Sequence, residues 1–266
     1  MNSKSKKKRL DIILVERGLF PSRERAQASI MAGVVLVNDM VELKPGTNFY
    51  EDVQVSVSEN ILKYVSRGGL KLEKGIREWN IDLDGKICMD IGASTGGFTD
   101  LMLQSGATKV YAIDVGYGQL DWSLRTNDKV VNLERTNFRY LDTDLIEDEI
   151  DFVCIDVSFI SLKHIFPLTS KLIKDDAQIV ALIKPQFEAE RNQVGKKGII
   201  KDSKVHAEVV ENVKGYAIES GLLVEDVIES PITGTKGNIE FLARIVKNAD
   251  SIPIDGEVNI EDDNDE

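Results

Sequence analysis

Two cysteines and two histidines in 266 residues leave little room for the chemistry that soft side chains support. Cys88 and Cys154 sit inside apolar runs, where they read as small buried side chains rather than as a disulfide or metal ligands. Adding the distant His164 and His206 makes no four-ligand zinc site, so no metal is expected. A serine hydrolase would need one of these histidines as its base, and both fall in helix-like stretches where an ordinary helix-face residue is the plainer reading. Long apolar runs are lacking as well. The longest hold five or six residues, against the 18 or so that a membrane span requires, so neither a span nor a membrane partner is expected. The start, MNSKSKKKR, is basic like the beginning of a secretory signal, but the apolar stretch Ile12 to Val15 is closed by Asp11 and Glu16. An intracellular, cytoplasmic protein is therefore expected.

Positive charge is scarce overall, with a formal net charge of −12, and an even spread would argue against a polyanionic partner. The spread is uneven. Asp250, Asp255, Glu257, Glu261, Asp262, Asp263, Asp265 and Glu266 close the chain with no base among them, and removing these eight acids leaves −4 for residues 1 to 249. An ending that repels itself and holds few apolar residues is expected to be disordered. Residues 1 to 25 carry eight bases against three acids, a local +5. This basic head can contact RNA phosphates or be a solvated terminus, and the charge run alone does not separate the two.

The rest is ordinary globular sequence, 42% hydrophobic and 29% charged, and at roughly 150 residues per domain it predicts one or two domains. Residues 9 to 58 read as two short helices, RLDIILVERGLF and SRERAQASIMAG, with Ser22 as N-cap and Gly33 as stop, followed by short strands in VVLVNDMVE and DVQVSVS. The pattern R-L-D-x-x-L-V-E-R-G-L-x-x-S-R-E-x-A-x-x-x-I-x-x-G-x-V-x-V-N, ending in Lys44-Pro45-Gly46, resembles an S4-type RNA-binding domain. That resemblance implies an RNA face of Arg9, Ser22, Arg23, Arg25 and Gln27, although each can also be a plain surface residue. Residues 60 to 80 hold a short linker and then a predicted helix packed through Leu70, Leu72, Ile76 and Trp79. Strand and helix then alternate. KICMDIG, KVYAIDVG, VVNLE, DFVCIDVS and AQIVALIKP are continuous apolar runs, the pattern of strands covered on both faces. LLVEDVIES and NIEFLARIVK, joined by PITGTKG, read as a terminal hairpin. Seven such strands predict the α/β class, a doubly wound Rossmann-like sheet with its last strand antiparallel. Segment 186 to 200 reads as a polar loop beside the site.

Open parallel sheets bind ligands outside the carboxyl ends of their strands, and the unusual residues of this chain fall there. The first strand runs into Asp90, Gly92, Ser94, Gly96, Gly97 and Phe98, a glycine turn feeding a helix, whose missing side chains admit a ligand to the backbone. The second ends at Asp114, twenty-two residues after Gly92, a carboxylate suited to two ribose hydroxyls. A nucleoside cofactor is expected. The spacing G-x-x-x-G-G departs from the G-x-G-x-x-G of dinucleotide sites and is similar to the first motif of S-adenosylmethionine methyltransferases; a simple tight turn is the alternative. Asn137 and Phe138, after the third strand, are expected at the adenine, though an Asn there can merely make a turn.

Four charged residues stand where burial is costly: Lys71 on the apolar face of its helix, Asp156 ending CID, Lys184 ending ALIK, and Glu240 opening IEFLARI. Strands four and five deliver Asp156 and Lys184 to the carboxyl edge, and an antiparallel last strand starts there too, so the four can offset one another as paired charges. Taken singly, each could belong to an ordinary salt bridge. Together they suit removal of a proton from a ribose hydroxyl as its oxygen attacks a sulfonium methyl in line. Lys184 is then the base or the group that orients the hydroxyl, since desolvation and a second ammonium weaken an amine's hold on its proton and carboxylates strengthen it. Lys71, Asp156 and Glu240 would set its charge and position, and alignment would supply much of the acceleration.

Read in order, SRGGLKLE, DIGASTGGFTD, AIDVGYGQLDW, CIDVSFISL, LIKPQFE and NIEFL resemble the TlyA family of ribosomal RNA 2′-O-methyltransferases, also labelled hemolysins, over residues 6 to 247. The resemblance implies an S4-like RNA-binding domain over 1–59, a linker over 60–69 and an FtsJ-like methyltransferase domain over 70–248, with the acidic tail 249–266 outside the usual pattern. It implies S-adenosyl-L-methionine as cofactor, with Asp156 also beside it. It places a Lys-Asp-Lys-Glu catalytic set on Lys71, Asp156, Lys184 and Glu240. The implied substrate is the cytidine 2′-hydroxyl of 16S and/or 23S ribosomal RNA, with ribosomal subunits as partners. Two other classes compete: a non-catalytic RNA-binding ribosome-assembly factor, from the S4-like head, and a membrane-active hemolysin, from the label alone.

Overall fold

A computed structural model describes residues 7–31, 33–38, 40–57, 63–195, 198–234 and 237–248. The first six residues of the basic head, part of the expected linker and the acidic ending from 249 onward lie outside the described residues. The chain packs as two units, Met1–Thr136 and Asn137–Glu266.

The first unit opens with strand β1 (Lys7–Arg9), helices α1 (Leu10–Glu16) and α2 (Arg23–Met31), and four short strands, β2 (Val35–Val37), β3 (Met40–Val41), β4 (Asn48–Tyr50) and β5 (Val55–Val57). Apolar residues at helical spacing on α1 bury Leu10, Ile13 and Leu14, and those on α2 bury Ala26 and Ile30. Four of these residues (all but Ile13) share one core with Phe20, Val34, Val35 and Val37. Truncating Leu14 to alanine there would cost about 2–5 kcal/mol. Ser22 caps α2 as expected, its Oγ accepting from Arg25 N at 3.2 Å, and Gly33, at φ 72°, ends it. Strands β3, β2 and β5 form a small sheet, while β1 pairs antiparallel with β4. Strand β1 departs from the expected order, because its charged KKR sequence has no strand signature and owes its form to backbone pairing.

Next come α3 (Gly68–Glu78), β6 (Ile87–Ile91), α4 (Gly97–Gln104), β7 (Lys109–Ile113), α5 (Trp122–Arg125) and β8 (Val130–Leu133). On α3, Leu72 is buried, whereas Leu70, Ile76 and Trp79 are only half-buried. Strands β6, β7 and β8 pair in parallel.

The second unit holds β9 (Ile150–Ile155), α6 (Phe166–Leu172), β10 (Ile173–Ile183), α7 (Pro185–Glu188), α8 (Ser203–Glu219), β11 (Leu222–Glu229) and β12 (Phe241–Lys247). Between β9 and β10 the chain forms a 3-10 turn at Leu162–His164 and then α6, with proline in the first turn of α6. The expected loop 186–200 begins instead with the helical turn α7. Strands β9 and β10 are parallel, and β12 is antiparallel to both β10 and β11. Seven strands make one sheet in the order β11-β12-β10-β9-β6-β7-β8, the α/β arrangement that the apolar runs predict. Among the described residues, no helix is long and apolar enough to cross a membrane.

Candidate active site

In the first unit the turn after β6 is left-handed at three alternate positions, with φ of 87° at Gly92, 49° at Ser94 and 94° at Gly96. Glycine meets this demand freely at two of them and Ser94 accepts the strain. Backbone N–H groups of Gly92 and Ala93 donate to Ile113 O at 2.9 and 3.1 Å, which draws the turn toward the end of β7. There Asp114 closes it: Oδ2 accepts from Ser94 N at 2.8 Å and Oδ1 from Gly116 N at 2.7 Å. A carboxylate offers about four acceptor positions, so Asp114 keeps capacity for two hydroxyls beside a glycine-lined turn. These residues fit a nucleoside.

The other residues expected at this cofactor are explained by packing. Asp90 is fully buried, and its Oδ2 accepts from Thr99 N at 2.9 Å and Thr99 Oγ1 at 2.7 Å, strapping α4 to the end of β6. A side chain at Gly96 would collide with Leu120 and Leu124; one at Gly97 would collide with Ser66 and sit 2.8 Å from Gly69 N. Phe98 is buried. Through this close approach α3, which carries the half-buried Lys71, lies against α4. Val65 N adds a 2.8 Å hydrogen bond to Asp100 Oδ2.

Three of the five residues expected on the RNA face converge on a residue the sequence reading passed over. Asp11 is wholly buried. Arg9 grips it with two hydrogen bonds of 3.0 and 2.8 Å, while Arg23 and Gln27 donate to Oδ2 at 3.2 and 2.6 Å. The Arg9 guanidinium, outweighing the burial that opposes it, holds the Asp11 carboxyl well below the usual range, with Gln27 and Arg23 adding to the effect. Arg25 instead pairs with Asp121 at 3.0 Å.

The second unit gathers three of the four expected catalytic residues. Asp156 follows β9 and Lys184 follows β10, neighbouring parallel strands whose register sets Ala181 against Ile155. Lys184 Nζ lies 2.6 Å from Asp156 Oδ1 and donates to Ser158 Oγ at 3.0 Å. Lys184 and the 2%-exposed Glu240, just before β12, line one cavity of about 220 Å³ with Ser158, Phe159 and Asn238. Phe241 pairs with Ile183, so the antiparallel strand does begin at the carboxyl end of β10. A side chain at Gly234 would collide with Glu240 Oε1, which makes glycine the residue that leaves Glu240 its place. Asn238 ties the cavity wall together, accepting from Ile200 N at 3.1 Å and donating to Gly198 O at 2.9 Å. Phe159 is left-handed at φ 64° and 90% exposed, a strain of about 1–3 kcal/mol, and its ring stands 4.9 Å from that of Phe187.

Asn137 makes the turn offered as its alternative, its Oδ1 accepting from Arg139 N at 3.1 Å, and Phe138 is buried. Ser158 and Asp11 were missed. The sequence held a trace of each: Ser158 stands two residues beyond Asp156 at the same strand end, and Asp11 interrupts the apolar face of α1. Among the described residues no group of His, Cys, Asp and Glu is placed to hold a metal ion.

The family model for FtsJ-like methyltransferase matches residues 64–246, and that for the S4 domain matches residues 8–49. YqxC of Bacillus subtilis, named as a candidate rRNA methyltransferase, is 50% identical over 242 residues, 91% of this chain and 86% of that protein. TlyA of Mycobacterium tuberculosis, a 16S/23S rRNA (cytidine-2′-O)-methyltransferase, is 42% identical over 238 residues, 89% of each chain. The solved structure of a candidate hemolysin from Streptococcus thermophilus aligns with a TM-score of 0.73 at 47% identity, covering 91% of this chain and 89% of that one.

Proposed function

Because the chain belongs to the FtsJ-like methyltransferase family, in the S4-bearing group that includes TlyA, we propose that it transfers a methyl group from S-adenosyl-L-methionine to a cytidine 2′-hydroxyl in 16S ribosomal RNA, 23S ribosomal RNA or both. When bound, that cofactor supplies an electrophilic methyl on a sulfonium sulfur. Gly92 and Ser94 would admit it to the backbone, and Asp114 would accept from its ribose hydroxyls while holding Ser94 N and Gly116 N. Lys184 orients the target hydroxyl or takes its proton. Asp156 and Ser158 fix the Lys184 amine and Glu240 adds a carboxylate to the same cavity; Lys71 would be the fourth member that the resemblance implies. Residues 1–59 would hold the RNA through Arg9, Ser22, Arg23, Arg25 and Gln27, with catalysis in 70–248, and the protein would work in the cytoplasm beside ribosomal subunits.

The observation that carries this reading is the placement of Lys184 Nζ, 2.6 Å from Asp156 and 3.0 Å from Ser158, at a cavity shared with Glu240. Lys184→Ala should lower labelled methyl transfer to ribosomal subunits by about 10²–10⁴-fold, the usual worth of a positioned acid or base, while cofactor binding persists. Transfer at the unaltered rate would remove Lys184 from the mechanism. RNA binding by the unaltered chain with no transfer at all would instead favour an assembly factor.

A further inference from the structure

Two segments meet at Lys184: the turn 156–162 that leaves β9, and the short α7 that follows β10. The ladder between β9 and β10 fixes where both segments start, but it ends before either reaches the cavity. Helix α7 has four residues and no side-chain cap, so it does not hold itself in place. A second tie is provided by Glu188, the last residue of α7, which is half-buried and does not line the cavity. Its Oε2 accepts from Ser161 Oγ at 2.6 Å and its Oε1 from Leu162 N at 2.9 Å. Ser161 Oγ in turn accepts from Lys163 N at 3.1 Å and caps the turn at Leu162–His164. One carboxylate thus anchors both the backbone and the side chain of the segment that presents Asp156 and Ser158. Between Ser158 and Ser161 sits Phe159, in a conformation that only a well-determined surrounding maintains.

We propose that Glu188 is a positioning residue for methyl transfer, acting by clamping residues 161 and 162 so that Asp156 and Ser158 meet the Lys184 amine. This rests on the role assigned to Lys184 above. The clamp needs two acceptors at a fixed span, which the carboxylate supplies, and burial pushes that carboxyl up. Glutamine keeps the span: its carbonyl can still accept from Leu162 N, and its amide can donate to Ser161 Oγ, which has a second lone pair for it. Alanine loses both bonds.

The test uses the full-length chain, with Glu188→Ala, Glu188→Gln, Ser161→Ala and Lys184→Ala compared in steady-state transfer of labelled methyl to unmodified ribosomal subunits. Glu188→Ala should lower kcat by about tenfold or more, as misplacing a reacting group by a fraction of an ångström does, with KM for cofactor and subunits within about twofold. Glu188→Gln should stay within about threefold of the parent, and Ser161→Ala should fall between. An unchanged kcat in Glu188→Ala, a rise in KM for subunits with kcat intact, or a Gln variant as impaired as Ala would each overturn the proposal. Amide hydrogen exchange over residues 156–163 gives a readout independent of activity. Exchange should quicken in Glu188→Ala and match the parent in Glu188→Gln, and unaltered exchange in the alanine variant overturns the clamp. Absence of transfer by the parent would sink the proposed function alone, leaving exchange to decide on Glu188.

Discussion

Asp11 and Glu188 are both carboxylates withdrawn from water and used as clamps, yet their surroundings drive them in opposite directions. Around Asp11, two guanidiniums and an amide converge on a fully buried group, and the Arg9 pairing outweighs the cost of burial. At Glu188, removal of solvent is the leading effect and the two donors, a hydroxyl and a backbone N–H, are neutral. The difference shows that the charge of a clamp is set by its donors rather than by its depth. A cationic shell keeps Asp11 ionised and holds two arginines on the proposed RNA face. A neutral shell leaves Glu188 easier to protonate near the ionic Lys184–Asp156 pair.

The sharpest way to break this comparison is to remove Asp11. Asp11→Ala leaves Arg9 and Arg23 without their shared acceptor; because their side chains are 44% and 50% exposed, the loss should fall short of that for a fully buried pair, at about 1–3 kcal/mol. Urea unfolding would measure it, and RNA affinity should weaken in parallel.

A smaller effect lies in the pH dependence of stability. Asp11, with its folded value depressed, contributes stability above its ordinary value of 3.8 that is lost as pH falls below it. Glu188, with its folded value raised, has the reverse sign. The folded chain retains a proton that the unfolded chain releases as pH climbs past 4.5, so stability is lost with rising pH from there through the raised value. Asp11→Asn should therefore flatten the acid limb of the stability profile and Glu188→Gln the limb above pH 4.5, and equal effects on one limb would refute the contrast. The smallest expected changes come from the helpers of each clamp. Ser161→Ala should cost about 0.5–1.5 kcal/mol, and Ser22→Ala, which uncaps α2, about 0.5–1 kcal/mol, both read from chemical denaturation.

How far the sequence discloses this molecule depends on whether the relevant partners are local. Strands β6, β7, β9 and β10 are legible because burial on both faces demands unbroken apolar runs. Asp156 and Lys184 stand out because each is a charge at the end of such a run. Glycine spacing and a later acid likewise marked Gly92 and Asp114. Strand β1 could not be read, since its pairing is made by backbone and its side chains face outward. Glu188 was no easier, because its two partners lie 26 and 27 residues away in sequence. Gly96 and Gly97 were visible but their purpose was not: what they meet is leucine and neighbouring backbone from other elements. Spacing reveals that a position must be glycine without revealing what presses on it.

The pairing of Lys7–Arg9 with Asn48–Tyr50 also orders events during synthesis. Roughly forty residues separate these partners, so at about 5–20 residues per second the leading strand waits some 2–8 s for its mate to leave the exit tunnel. Until then the leucines of the first helix have no finished core to enter. The proposed RNA face of a nascent chain thus forms only once residue 50 has emerged, while the chain is still tethered to the kind of particle that its finished form is proposed to modify.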